Sequence, residues 1–266
     1  MTFRMMRLAR LACLPLFGVA AALAEPAPLP LQEGEQLTYR VGWGIFGRAG
    51  EIKIAASTET NDNVPHTVVA TTTRTRGFLK GLFPFQARAE SIFDQRTGLL
   101  KAITEASESG KKKTNSAITF DHENDIARYT DYLNAAENAT VPIPSGEDPR
   151  DLITSLVQTR MWDLQPGDKR DINVVFEKDI YELTVHAVGY ETIDTPLGRF
   201  KTLKLEPRME KTPPKGMFRR GSKVHVWIAQ DDERRLPVRF EVEFKFGAGI
   251  ATLEAYTPPG GAQAAE

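Results

Sequence analysis

Apolar and polar positions alternate with a period of two along most of this chain. The clearest run is Val238-Arg-Phe-Glu-Val-Glu-Phe-Lys-Phe246, in which five apolar residues alternate with Arg239, Glu241, Glu243 and Lys245. A strand with one buried and one wet face accounts for that pattern. Charges of both signs share the wet face, which suits neighbours across an antiparallel sheet. The same alternation appears from Leu37 to Trp43, at Ile52 and Ile54, and at Val224, Val226 and Ile228. The β-branched run from Thr67 to Thr75 adds another strand. Turn-forming residues fall between these runs, at 60–63, 96–98, 109–110, 121–124 and 196–198. About a dozen strands follow, at roughly ten-residue spacing.

One segment departs from the alternation. Asp148-Pro149-Arg150-Asp151 reads as a helix start, with Asp148 as the capping acid and proline at the first helical position. Leu152, Ile153, Leu156, Val157 and Met161 then share one helical stripe, which predicts a helix over 149–161. The charged sheet must bury its other face, and this stripe is available to cover it. The expected fold is therefore mainly β: a curved antiparallel sheet or incomplete barrel wrapped on one amphipathic helix. Two packed β-sheets are the alternative.

The ends of the chain change the picture. Arg4, Arg7 and Arg10 precede an apolar run from Leu11 to Leu23, and Ala22-Leu-Ala24 fits a small-x-small cleavage site. Residues 1–24 read as a signal peptide, too short in apolar length to span a bilayer. Residues 25–33 read as an extended leader, 34–257 as a single β-rich domain in two halves joined by the helix, and 258–266 as a flexible tail. The expected location is the periplasm. Arg10-Leu11-Ala12 before Cys13 does not fit a lipidation site, and a chain cleaved after Ala24 holds no cysteine. Removing residues 1–24 takes away three arginines and no acid, moving the formal net charge from −1 to −4. That balance gives no reason to expect nucleic acid, and no second apolar run suggests a membrane span.

Candidate chemistry is sparse. His66, His122, His186 and His225 have no histidine, cysteine or metal-spaced carboxylate as a sequence partner, and His225 alternates outward from Val224 and Val226 as a surface residue. Asp121, Glu123 and Asp125 have calcium-loop spacing at first, but Ile126 and Tyr132 stand where glycine and a bidentate acid belong, so they read as a solvated turn. The cluster Gly42, Gly44, Gly47 and Gly50 joins two strands, not a strand and a helix, and reads as a bulged turn with close backbone packing. No serine-hydrolase signature is present. No catalytic residue, metal site or cofactor is assigned.

Two segments stand out. Gly77-Phe-Leu-Lys-Gly-Leu-Phe-Pro-Phe85 is the most apolar connection in the chain. The expectation is that it folds inward and plugs the end of the sheet; the alternative is a lid over a pocket or a contact with lipid. Lys211–Lys215 and Arg219-Arg220-Gly-Ser-Lys223 form a basic loop, read as a solvated face or an anion or headgroup site.

Gly34-Glu-x-Leu-x-Tyr-x-Val-x-Trp43-Gly44, Asp148-Pro149, Glu191-Thr-Ile-x-Thr-Pro-Leu-Gly198-Arg-Phe200 and Trp227-Ile-Ala-x-Asp231 with Arg235-Leu-Pro-Val238 occur in that order. Together they resemble the exported bacterial "domain of unknown function 3108" family, over roughly residues 34–256. The resemblance implies a periplasmic or envelope-associated β-rich protein and supplies no catalytic residues. Its general look is similar to periplasmic lipoprotein carriers, whose curved sheet encloses an apolar cavity. The expected function is a non-catalytic envelope protein binding an apolar or lipid-like ligand through Phe78, Leu82, Phe83, Phe85 and Leu156, with Arg219 and Arg220 at the basic loop. The alternative is a structural or assembly partner of another envelope protein; an enzyme of unrecognised type ranks third.

Overall fold

The computed structural model describes residues 29–261, except 45, 62, 146–147, 215–217, 219–221 and 245–246. Among the described residues, fifteen strands form one sheet. The first half is a meander: β1 (Gln36–Trp43), β2 (Phe46–Asn61), β3 (Val64–Thr75), β4 (Phe85–Asp94), β5 (Leu100–Ser109), β6 (Lys112–Asp121), β7 (Ile126–Asp131) and β8 (Ala139–Pro142). After β9 (Arg150–Asp151), the second half runs through β10 (Lys169–Phe176), β11 (Asp179–Thr195), β12 (Gly198–Arg208), β13 (Lys223–Ala229), β14 (Pro237–Phe244) and β15 (Gly247–Thr257). β15 pairs antiparallel with β1 and fuses the two meanders, leaving β8 and β9 as the edges.

The sheet curls into an incomplete barrel. Lys178, in the turn between β10 and β11, forms an ion pair with Glu137, just before β8, so the two ends of the sheet approach without pairing. Each anticipated turn lies between consecutive strands. The backbone turns left-handed at Asn63, Gly98, Gly110, Asp125 and Gly198, the conformation that asparagine, aspartate and glycine adopt most readily.

The helical segment differs from expectation at its start. Residues 150–151 form a short parallel strand on β10, and the helix α2 covers Leu152–Gln158, followed by a 3-10 turn at Thr159–Met161. Asp151 is the cap, not Asp148: its carboxylate accepts from the Ile153 and Thr154 amides. Asp148-Pro149 carries the right residue types, but strand pairing captures Arg150 and Asp151 before the helix can begin. The cap also reaches the sheet, because Ser91 Oγ on β4 donates to Asp151 Oδ2 at 2.7 Å.

Leu156 and Val157 enter one continuous core with Leu37, Tyr39, Ile54, Phe93, Val174, Leu183, Leu205, Val226 and Leu253. Leu31, within the anticipated leader, is also fully buried in this core. The cavity bordering α2, lined by Arg150, Ser155, Gln158, Ile172 and Asn173, holds only about 10 Å³. That is at most one water molecule.

Candidate functional site

The apolar connection after β3 forms a short helix, α1 (Gly77–Leu82), and it does not plug the sheet. None of its residues is buried. Phe78 is 71% exposed, Phe83 69% and Leu82 54%. The expectation of a plug is overturned: the interior is already filled by strand and α2 side chains, so nothing is left for this segment to fill. Phe85 is half-buried as the first residue of β4, and its amide donates to Thr75 Oγ1 at 3.0 Å. Leu156 lies in the core, so the structure does not unite it with the loop aromatics. Arg219 and Arg220 lie outside the described residues, as do residues 1–24.

The β1–β2 hairpin brings further aromatics beside α1. Trp43 and Phe46 are register partners across it, 41% and 40% exposed. Phe46 stacks with Phe78 at 6.5 Å between ring centroids. Gly44 makes this tight reversal with a φ of 54°, and the pairing slips between Val41 and Trp43, so the glycine cluster is a bulged turn as anticipated. Gly50 supplies the close packing: a Cβ there would stand 2.7 Å from the Arg74 carbonyl oxygen on β3. α1 is tethered through the Arg76 amide, which donates to Ala49 O at 2.9 Å. Trp43, Phe46, Phe78, Leu82 and Phe83 thus form one exposed apolar tip. Sequence reasoning found the last three; the hairpin aromatics were hidden because their alternation reads as an ordinary strand end.

The tip carries positive charge. Arg48 and Lys80 are exposed, and neither has an acidic partner among the described residues. Arg76 pairs with Glu51 at 2.6 Å, and Arg74 shares the same carboxylate at 2.8 Å. Burial opposes ionisation of Glu51, but hydrogen bonds and charge from Arg76 and Arg74 hold its carboxyl below the usual range.

An open groove of about 680 Å³ runs across β2 to β6. Three of its cations are paired, Arg74 with Glu51, Arg88 with Glu90 and Lys113 with Glu108, and Lys53 also lines it. The Ser107 and Thr114 hydroxyls hydrogen-bond each other, with no histidine in the lining. The groove lining holds no nucleophile–base pair.

A second outer-face cluster surrounds His225. Trp227 is buried between Lys204 at 5.1 Å and Arg239 at 4.9 Å, and its Nε1 donates to Glu191 Oε2 at 2.8 Å. His225, with its ring 5.7 Å from that of Trp227, is buried rather than a surface residue, its side chain only 8% exposed. Burial and then the Lys204 charge lower its basicity, against Glu206, Glu243 and Glu241. The other histidines with hydrogen bonds serve structure: His122 Nε2 contacts Leu100 O at 2.7 Å, and His186 Nε2 contacts Glu210 Oε1 at 2.7 Å. Asp121 is consumed within its own turn, accepting from Asn124.

No helix among the described residues is long and apolar enough to cross a membrane. The fold is similar to that of a β-barrel-like protein of domain of unknown function DUF1849 from Brucella abortus, with a TM-score of 0.50 and 5% identity, covering 86% of this chain and 99% of that one. A looser likeness, at TM-score 0.34 and 14% identity, links it to a protein of YmcC-like fold from Bacteroides fragilis NCTC 9343, covering 86% and 98% of the two chains. No curated protein matches the chain. Residues 38–254, which include the whole apolar tip and the His225 cluster, match the family "Protein of unknown function (DUF3108)", and the chain belongs to that family.

Proposed function

We propose that this is an exported, non-catalytic envelope protein that docks on anionic lipid surfaces through the tip formed by Trp43, Phe46, Phe78, Leu82 and Phe83. One observation carries the reading: two separate connections leave five large apolar side chains exposed, and the Phe46–Phe78 stack joins the two connections. Contiguous exposed apolar patches of this kind mark interaction surfaces. Arg48, Arg76 and Lys80 border the patch, and aromatic residues beside basic ones suit the headgroup region of an anionic bilayer. The basic and apolar n- and h-regions of residues 1–24 support export to a compartment where such a surface is present.

Carriage of a lipid inside the barrel fits less well, because a cavity of about 10 Å³ beside α2 cannot hold an acyl chain.

Trp43 makes the test direct, because Trp162 and Trp227 are both only 3% exposed. Vesicles containing phosphatidylglycerol should shift the tryptophan emission to the blue and co-sediment the protein. Vesicles of phosphatidylcholine alone should do so more weakly. The double variant Phe78→Ser/Phe83→Ser should lose both effects while keeping its circular dichroism spectrum. Unchanged emission and no co-sedimentation with anionic vesicles would overturn the reading.

A further inference from the structure

The His225 cluster has the composition of a metal site and one feature that packing alone leaves unexplained. His225 on β13 and Glu241 on β14 face each other in register, and Glu243 follows two residues later on the same face. One ligand-type atom from each of the three lies within 4.8 Å of the others. The His225 ring is more than nine-tenths buried, yet its Nδ1 has no hydrogen-bond partner. A buried polar atom left without a partner costs stability, and such atoms are rare in folded proteins.

The surroundings show what that nitrogen is aimed at. Nδ1 lies 3.9 Å from Glu243 Oε1, too far for a hydrogen bond. The other ring nitrogen, Nε2, lies 3.9 Å from Glu206 Oε2. Arg239 engages Glu241 Oε2 at 2.6 Å and leaves Oε1 available. Glu206 is itself held by Arg208 at 2.9 Å. Nδ1 thus faces the Glu243 carboxylate without bonding it, and Glu241 stands opposite His225 in the β13–β14 register, so one imidazole and two carboxylates, the donor types of a transition-metal site, converge on one face.

We propose that His225 Nδ1, Glu241 and Glu243 form a site for a divalent transition-metal ion of the zinc class. Imidazole with carboxylates suits zinc and its neighbours, whereas calcium and magnesium favour all-oxygen sets. Ligand atoms about 2.1 Å from one ion stand roughly 3.4 Å apart in a tetrahedron, so the cluster, whose ligand atoms lie within 4.8 Å of one another, must contract by up to about 1.4 Å. Glu243 can make that movement, since its side chain is 46% exposed. Three protein ligands leave a coordination position for water or a further donor. The ion would clamp β13 to β14 at the end of the β14–β15 hairpin.

Chelator-treated full-length mature protein should take up one equivalent of Zn²⁺ by titration calorimetry. Its melting temperature should rise by about 5 °C or more at a hundredfold excess over Kd. Co²⁺ as a coloured substitute should give visible absorption bands that Zn²⁺ abolishes. Glu243→Gln, a half-exposed position that leaves the fold intact by circular dichroism, should weaken Zn²⁺ binding at least tenfold; His225→Ala should weaken it at least a hundredfold. His66→Ala should bind as the parent does. No uptake by the parent protein overturns the site. So does undiminished uptake by Glu243→Gln and His225→Ala, which would place the ion elsewhere. The readouts are independent of lipid binding, so this proposal and the docking of the tip stand or fall separately.

Discussion

Arg160 and Glu35 form a buried ion pair, with Arg160 Nη1 donating to Glu35 Oε1 across 2.6 Å and the side chains 10% and 2% exposed. The pair ties the 3-10 turn after α2 to the residue preceding β1. Tyr256 on β15 donates to the same carboxylate oxygen at 3.0 Å, and Arg160 also donates to the carbonyls of Pro30 and Arg234. One guanidinium thereby holds together the start of the chain's first half, the end of its second, and the central helix.

Removing either partner strands a charge in the interior. Glu35→Ala and Arg160→Ala should each destabilise the fold by about 3–5 kcal/mol. Because the partners share one interaction, the double variant should lose clearly less than the sum of the two single losses. Denaturant midpoints for the three variants check this. Additive losses would show that the pair is not coupled.

The pair also marks where sequence reasoning stops. Strand alternation is local, so β1, β3, β13 and β14 could be read from Leu37–Trp43, Thr67–Thr75 and the runs around Val226 and Phe240. The stripe containing Leu156 identified the helix for the same reason. Glu35 and Arg160 are 125 positions apart, and nothing local links them. His225 fails similarly: alternation correctly puts it on the outer face, but it is buried there, with its ring packed beside that of Trp227 and opposite Glu241 of the neighbouring strand. α1 was obscured because Gly-Phe-Leu-Lys-Gly-Leu has two glycines, poor helix formers, and is too short to show a period. Its exposure could not be read from composition, since an apolar segment usually signals burial.

Leu156 tests the packing of α2. It is 8% exposed beside the fully buried Val157. Leu156→Ala should cost about 2–5 kcal/mol, and Leu156→Asp more, because it adds an unpaired buried charge. A melting temperature within a degree or two of the parent protein's for Leu156→Asp would contradict the filled core.

Glu51 gives a pH dependence with a defined sign. Burial disfavours its ionised form, but Arg76 and Arg74 outweigh this, and its folded pKa is depressed. A depressed carboxyl stabilises the fold above the unfolded-state value of about 4.3, and that contribution is lost as pH falls through the folded pKa. Glu51→Gln should therefore be less stable than the parent protein at pH 7, with the difference shrinking below about pH 4. Urea midpoints at pH 7, 5 and 3 make the comparison. A difference that stays constant across this range would mean that the arginines do not depend on the Glu51 charge.

The tip makes a prediction in which stability and binding separate. A core phenylalanine cut to alanine typically costs about 3–5 kcal/mol. Phe83 is 69% exposed and α1 has no buried residue, so Phe83→Ala removes little packing and should change stability by less than about 1 kcal/mol. Phe46→Ala should cost somewhat more, because its ring stacks on Phe78 and the residue belongs to β2. Both should reduce partition onto anionic vesicles, since each removes apolar area that would enter the interface. Lys80→Glu leaves that area intact and reverses one charge, so it should weaken binding at low salt more than at high salt. The pattern distinguishes insertion from simple charge attraction. If Lys80→Glu abolishes binding while Phe83→Ala leaves it unchanged, the aromatics do not enter the bilayer and the contact is electrostatic. A stability loss of 3 kcal/mol or more in Phe83→Ala would instead show that the tip packs inward in solution, and docking through it would fail.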